Sequence, residues 1–206
     1  MVDFPVVLAR LALVNVDLQN VFVEGFPISA PDGLAVVERI NRLSAACRKA
    51  GVLVVHTAHV TRPDGSNVGV LGEIIPPARE GLIAKGSFPA ALHAKLAVEA
   101  GDVVLEKPRF GAFHGTDLEL ILRSRGVDSV MITGIATNVC AETTAREANA
   151  RDFRVFFISD ATATSDMGGV SHEELQRAAC AVLGSMFAQV LSAEEMLKKL
   201  EAAARG

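Results

Sequence analysis

The chain has 206 residues, 50% of them hydrophobic and 21% charged, with 20 Lys+Arg against 24 Asp+Glu for a formal net charge of −4. That hydrophobicity excludes intrinsic disorder, and a chain of this length buries roughly 70% of its unfolded surface, enough for a core without disulfides or metal. A weakly acidic chain with no long Lys/Arg run, no Trp and no Tyr is a poor nucleic-acid binder.

From the start of the chain, the segment through Asn20 lacks a basic leader and carries Asp3 and Asp17. Its apolar run is far short of the ~20 residues of a membrane span. Neither a signal peptide nor a membrane partner is expected. Cys47, Cys140 and Cys180 are odd in number and without paired spacing, so no disulfide framework or zinc knuckle follows. The expected location is cytoplasmic.

Short runs rich in Val, Leu and Ile then alternate with helical patterns. Strands are expected at Leu11–Val16, Val52–His56, Val103–Leu105, Ser129–Thr133 and Val155–Ile158, with a short one near Ala188–Leu191. Each is nearly continuous in apolar residues, the mark of strands buried on both faces of a parallel sheet. Helices are expected at Gly33–Ala50, Thr116–Arg125, Asn138–Arg151, His172–Ser185 and Ala193–Ala204, several closed by glycines such as Gly51 and Gly126. The alternation indicates one domain over residues 1–206. Its class is α/β: a doubly wound, mainly parallel sheet of about six strands with helices on both faces. The long irregular stretch Thr57–Pro89 follows the end of a strand, where such sheets place ligands. It reads as a lid or wall of a pocket, or as a mobile surface excursion.

Neither a dinucleotide fingerprint, a P-loop nor a serine-hydrolase elbow is present. Three reactive side chains instead follow strands. Asp17 ends "ALVNVD", Lys107 ends "VVLEK", and Cys140 follows "VMITG". In a parallel sheet these ends share one rim. Thr137 or Asn138 would cap the helix holding Cys140, with Glu142 behind it. Cys140 would then lie in a first turn, where the dipole and Lys107 would depress its pKa against the pull of Asp17. A cysteine attacking a stable amide needs a base for its proton and an acid for the leaving amine, and one carboxylate can serve as both. Cys47 and Cys180 fall in apolar helical patterns and read as structural, with normal or raised pKa values.

His56 and His59, three apart, suggest a metal, but Asp64 is their one obvious neighbour of ligand type and a catalytic site needs three ligands. No metal and no cofactor is expected. His114 could line a pocket near Lys107. His93 and His172 read as helix surface residues.

The segments "LVNVDLQNVF", "KPRFGAFHGTDLELILRSRG" and "TGIATNVCAETTAREA" resemble the isochorismatase-like cysteine hydrolase superfamily. The likeness covers nearly the whole chain. Within that superfamily the chain is most similar to amidohydrolases of ureido and carbamoyl compounds, the ureidoacrylate amidohydrolases and N-carbamoylsarcosine amidases. The resemblance implies a catalytic triad of Asp17, Lys107 and Cys140, and a cis peptide at Ile135–Ala136. It implies an oxyanion hole from the Ala136 and Cys140 N–H groups, a small amide or ureido substrate, and a homodimer or homotetramer. Asn20, Phe22 and Phe113 would be pocket walls. Arg109, two residues after Lys107, would grip a substrate carboxylate, whereas Arg62 reads as a surface charge. Metal-dependent nicotinamidases carry an Asp two residues before a His after the second strand. Here Val54 precedes His56, which disfavours that activity. The alternatives are a vinyl ether hydrolase, which needs no thiol, and a non-catalytic scaffold.

Overall fold

A computed structural model describes residues 2–205. In chain order the elements are β1 (Leu11–Val16), α1 (Asn20–Val23), α2 (Gly33–Lys49), β2 (Leu53–His59), α3 (Leu71–Ile74), α4 (Pro76–Arg79) and β3 (Val103–Lys107). There follow α5 (Leu118–Ser124), β4 (Ser129–Ile135), a π-helical turn (Thr137–Ala141), α6 (Glu142–Asn149), β5 (Arg154–Ala163), α7 (His172–Met186), β6 (Gln189–Leu191) and α8 (Ala193–Arg205). The six strands form one sheet in the order β3-β2-β1-β4-β5-β6, and every pairing is parallel.

The apolar strand runs are explained by burial on both sides. Leu11 and Leu13 of β1 face Val36, Ile40 and Leu43 of α2 and Met196 and Leu200 of α8. Ala12, Val14 and Val16, one residue out of phase, face Leu118 and Leu122 of α5, Ala145 and Ala148 of α6 and Leu183 of α7. The period of two thus feeds two cores, and each fully buried Val or Leu contributes about 1.5–3 kcal/mol. On the surface side, α7 starts at a capping box. The Glu174 N–H donates to Ser171 Oγ, and Glu174 Oε2 accepts from the Ser171 N–H at 3.2 Å.

The winding reverses at β1, since β2 and β3 lie on one side and β4, β5 and β6 on the other. A crevice therefore opens between the C-terminal ends of β1 and β4. Gly134 lets the two strands close there. At φ 115° it places its Cα so near β1 that a Cβ would lie 2.0 Å from the Val16 carbonyl oxygen.

Four strands extend past their expected ends, β3 to Lys107 and β4 to Ile135 by two residues each. β2 continues to His59, and β5 runs five residues further, to Ala163, through a register shift opposite Ile132 and Gly134. Thus the first residues of Thr57–Pro89 are strand. The remainder carries α3 and α4 and packs Leu71, Ala78 and Ile83 on Val21. Far from a free excursion, it is tied to the start of α1. Gln19 Nε2 donates to the Ala90 carbonyl at 2.7 Å, Asn20 Nδ2 to Phe88 at 2.8 Å, and the Val21 N–H to Pro89 at 3.1 Å. Among the described residues, no helix is long and apolar enough to cross a membrane.

Candidate active site

Asp17 follows β1 directly and holds a left-handed backbone, φ 56°, which Asp tolerates better than most residues and which costs of order 1–3 kcal/mol. Its surroundings enforce it. The Asp17 N–H donates to the Thr57 carbonyl at 3.1 Å, and Asp17 Oδ1 accepts from Thr57 Oγ1 at 2.7 Å. Lys107 is the last residue of β3, in register with His59. Its stem crosses the end of β2 and sets Nζ 2.7 Å from Asp17 Oδ2. The same ammonium donates to the carbonyls of Arg109 at 2.9 Å and Phe110 at 2.8 Å. Both charges have no exposed surface. A buried pair of this kind stands only when the remaining lone pairs and protons find partners.

Cys140 comes from the other side of the crevice, in the π-helical turn after β4. Such turns recur where a helix start is bent to aim a side chain. The Ala141 N–H bonds the Ala136 carbonyl five residues back at 3.1 Å, and the Ile135–Ala136 peptide is cis. The capping expected from Thr137 or Asn138 is absent. The residue before the turn is Ala136, and the two polar side chains are engaged elsewhere, Thr137 on Gln176 and Asn138 Oδ1 with the Thr164 hydroxyl at 2.6 Å. Glu142 is paired with Arg146.

The expected depression of the Cys140 pKa is overturned. Burial pushes the thiol well above its ordinary value. Lys107 and the Ala136 N–H pull it down, while the charge and hydrogen bond of Asp17 push it further up. The resting group is a neutral thiol beside a carboxylate, an arrangement suited to moving the proton at the moment of attack. Burial also raises Cys47 to about 12 and Cys180 to about 11, as expected for thiols on apolar helix faces.

A fourth residue joins this group. His59 is 2% exposed, and one ring nitrogen, one Asp17 carboxylate oxygen and Cys140 Sγ all lie within 4.8 Å of one another. Burial, then the Lys107 charge, outweigh Asp17 and lower the His59 pKa to about 4, so the ring is neutral. Sequence reasoning paired His59 with His56, yet residues three apart on a strand face opposite sides. His56 bonds Asn15 and, at 3.0 Å, Asp102, which also holds Arg48 at 2.6 Å. Asp64, the third member of that set, is exposed and accepts from Ser66. The alternation Thr57, His59 beyond Asp17 was the signal for the correct face.

The remaining expected site residues are placed as follows. Asn20 anchors the Phe88 carbonyl, and Phe22 is half-buried between the α2 core and the α3–α4 cluster. The Arg109 guanidinium donates to the carbonyls of Asn67 at 3.0 Å and Pro108 at 2.6 Å. Phe113 is buried in the core that backs Cys140, 5.9 Å from Phe153 and beneath Arg151. His114 is exposed, as is Arg62, which faces Asp64 at 3.4 Å. His93 is no helix surface residue. It is buried outside any helix and bonds Glu24 at 3.0 Å. His172 opens α7 and bonds Asp166 at 2.7 Å.

A cleft of about 450 Å³ flanks Lys107, lined among others by Thr61, Asn67, Lys85, Glu106 and Pro108. Thr61 Oγ1 is buried there without a hydrogen-bond partner among the described residues. A cleft of about 570 Å³ lined by Arg48, Asp102 and Arg125 sits at the opposite end of the strands, remote from the three converging side chains.

Residues 11–195 match the isochorismatase domain model. A ureidoacrylate amidohydrolase RutB of Methylorubrum extorquens strain AM1 is 37% identical over 171 residues, covering 73% of this chain and 68% of the relative. One of Methylobacterium radiotolerans is 34% identical over 203 residues, covering 88% and 76%. Among solved structures, a cysteine hydrolase from Pseudomonas syringae pv. phaseolicola superposes with a TM-score of 0.91 at 32% identity, covering 98% of this chain and 97% of that one. An isochorismatase family protein from Burkholderia thailandensis gives 0.83 at 32% identity, covering 97% and 100%.

Proposed function

The chain belongs to the isochorismatase family, and on that premise we propose that it is a cysteine-dependent amidohydrolase cleaving a C–N bond of a small ureido, carbamoyl or amide substrate. The observation that carries this reading is the convergence, without exposed surface, of an Asp17–Lys107 pair on the Cys140 thiol from three separate strand ends. The ureidoacrylate amidohydrolases among its relatives support the same substrate class.

In the proposed reaction Asp17 takes the thiol proton as Cys140 Sγ attacks the substrate carbonyl carbon. The N–H groups of Ala136 and Cys140 hold the oxyanion. Asp17 returns its proton to the nitrogen as the C–N bond breaks, releasing an amine or ammonia and leaving a thioester or thiocarbamate. Asp17 then accepts a proton from water, whose oxygen adds to the same carbon. The C–S bond breaks, the acid leaves, and the sulfur regains the proton. Lys107 keeps positive charge beside the carboxylate throughout. Asn20 and Phe22 would border the substrate, and Arg109, turned from its carbonyl partners, would bind a substrate carboxylate.

A panel of ureido acids, carbamoyl amino acids, biuret and primary amides, followed by ammonia release, tests this. Turnover of at least one member, abolished in Cys140→Ala, is expected. Ammonia release surviving that substitution points to thiol-independent hydrolysis or a contaminant, and no turnover across the panel to a vinyl ether hydrolase or a scaffold role.

A further inference from the structure

One polar atom in the crevice has no role in that reaction. His59 Nε2 is buried and has no hydrogen-bond partner among the described residues. The Pro108 carbonyl accepts a hydrogen bond from the same ring. A neutral imidazole has a single N–H, so with that proton on Pro108 the Nε2 lone pair is bare. A bare buried lone pair is costly unless something occupies it. The neighbours are a thiol and a carboxylate, giving sulfur, nitrogen and oxygen donors at the corners of a triangle with no side longer than 4.8 Å.

We propose that Cys140 Sγ, His59 Nε2 and an Asp17 oxygen form an inhibitory binding site for a thiophilic divalent cation of the zinc class. Zinc bonds of about 2.3 Å to sulfur and about 2.0–2.2 Å to nitrogen or oxygen put tetrahedral donors about 3.4–3.6 Å apart. The triangle reaches that by a contraction of side chains, with a fourth position open to water. The ion replaces the thiol proton, which leaves to solvent, and no electron is transferred. The Lys107 ammonium, 2.7 Å from Asp17 Oδ2, repels a cation held by charge alone. Selection therefore falls on ions that gain from sulfur and imidazole, such as zinc, cadmium and cobalt, over magnesium and calcium. Binding is independent of the proposed function. The inhibition rests on Cys140 being the nucleophile.

Cobalt(II) added anaerobically to the chelator-treated whole protein is the probe. The expected result is a saturable thiolate-to-cobalt absorption band, with a proton released for each ion bound at neutral pH. The band should vanish in Cys140→Ala. It should require about tenfold or more extra cobalt in His59→Gln, with circular dichroism confirming that both variants fold. Magnesium at the same concentration should neither bind nor compete, and zinc should displace cobalt and stop turnover. Absence of the band in wild type, its persistence in Cys140→Ala, or unchanged affinity in His59→Gln would overturn the site. A cobalt band without any amide hydrolysis would leave the site standing and refute the reaction. Hydrolysis without a band would do the reverse.

Discussion

Lys107→Met keeps the length of the side chain and removes the ammonium. Three oxygens lose their donor or counter-charge together: Asp17 Oδ2 and the carbonyls of Arg109 and Phe110. Asp17 would retain the Thr57 hydroxyl on its other oxygen and no neutralising charge on its Lys107 side. Removing one member of a buried pair costs about 3–5 kcal/mol, a figure that already includes much of the carbonyl penalty. Against a total stability of about 5–15 kcal/mol the variant should remain folded. With a urea dependence of about 2–3 kcal/mol per molar, the unfolding midpoint should fall by about 1–2.5 M. Turnover should drop by about a hundredfold or more, since the base loses its electrostatic partner. Asp17→Asn combined with Lys107→Met should recover part of the stability and none of the activity, because the uncompensated charge is gone. A midpoint within about 0.3 M of wild type, or near-normal turnover, would refute the reasoning and make Lys107 a bystander.

The thiols and His59 give pH tests of opposite sign. With the Cys140 pKa raised, its alkylation by iodoacetamide should be slow at pH 7 and still climbing at pH 9. A rate plateau below pH 7 would reveal a resting thiolate. Cys47 goes from about 9 unfolded to about 12 folded, so its stabilisation is complete below pH 9 and lost as pH rises toward 12. Cys47→Val should flatten the alkaline decline in unfolding free energy, read from urea titrations, by up to about 1.4 kcal/mol per pH unit. His59 is depressed to about 4, so the unfolded chain binds the extra proton between about 4 and 6.5, and stability falls as pH is lowered through that window. His59→Gln should lose this acid sensitivity, and an unchanged acid limb would place His59 outside the buried cluster. At Gly134 a Cβ would strike the Val16 carbonyl oxygen, so Gly134→Ala should cost about 3 kcal/mol or more, read as a lowered melting temperature.

The sheet was legible because strands buried on both faces are apolar along nearly their whole length, as in Leu11–Val16 and Ser129–Thr133. The end of β5 was hidden because Ser159, Asp160, Thr162 and the alanines around them resemble a loop, and the pairing of Thr162 and Ala163 with Gly134 and Ile135 of β4 makes this end strand. Asp17, Lys107 and Cys140 could be picked out by position, since a parallel sheet puts all its C-terminal strand ends on one rim. The Cys140 pKa could not be read that way. A helix start and a nearby lysine are sequence-local, whereas the burial that outweighs them comes from packing of distant segments. Thr137 and Asn138 misled for a related reason, since Gln176 and Thr164 compete for their side chains from remote elements. Phe113 sits in a motif beside the site yet turns into the core against Phe153, a direction that spacing alone does not encode.

The most direct test of the central claim is covalent. Wild type and Cys140→Ala are mixed with a turned-over ureido or amide substrate, quenched in acid during turnover and digested, and the Cys140 peptide is weighed. The expected result is an acyl or carbamoyl mass on Cys140 in wild type, none on Cys47 or Cys180, and no ammonia release from Cys140→Ala. Steady ammonia release by Cys140→Ala at the wild-type rate would contradict it.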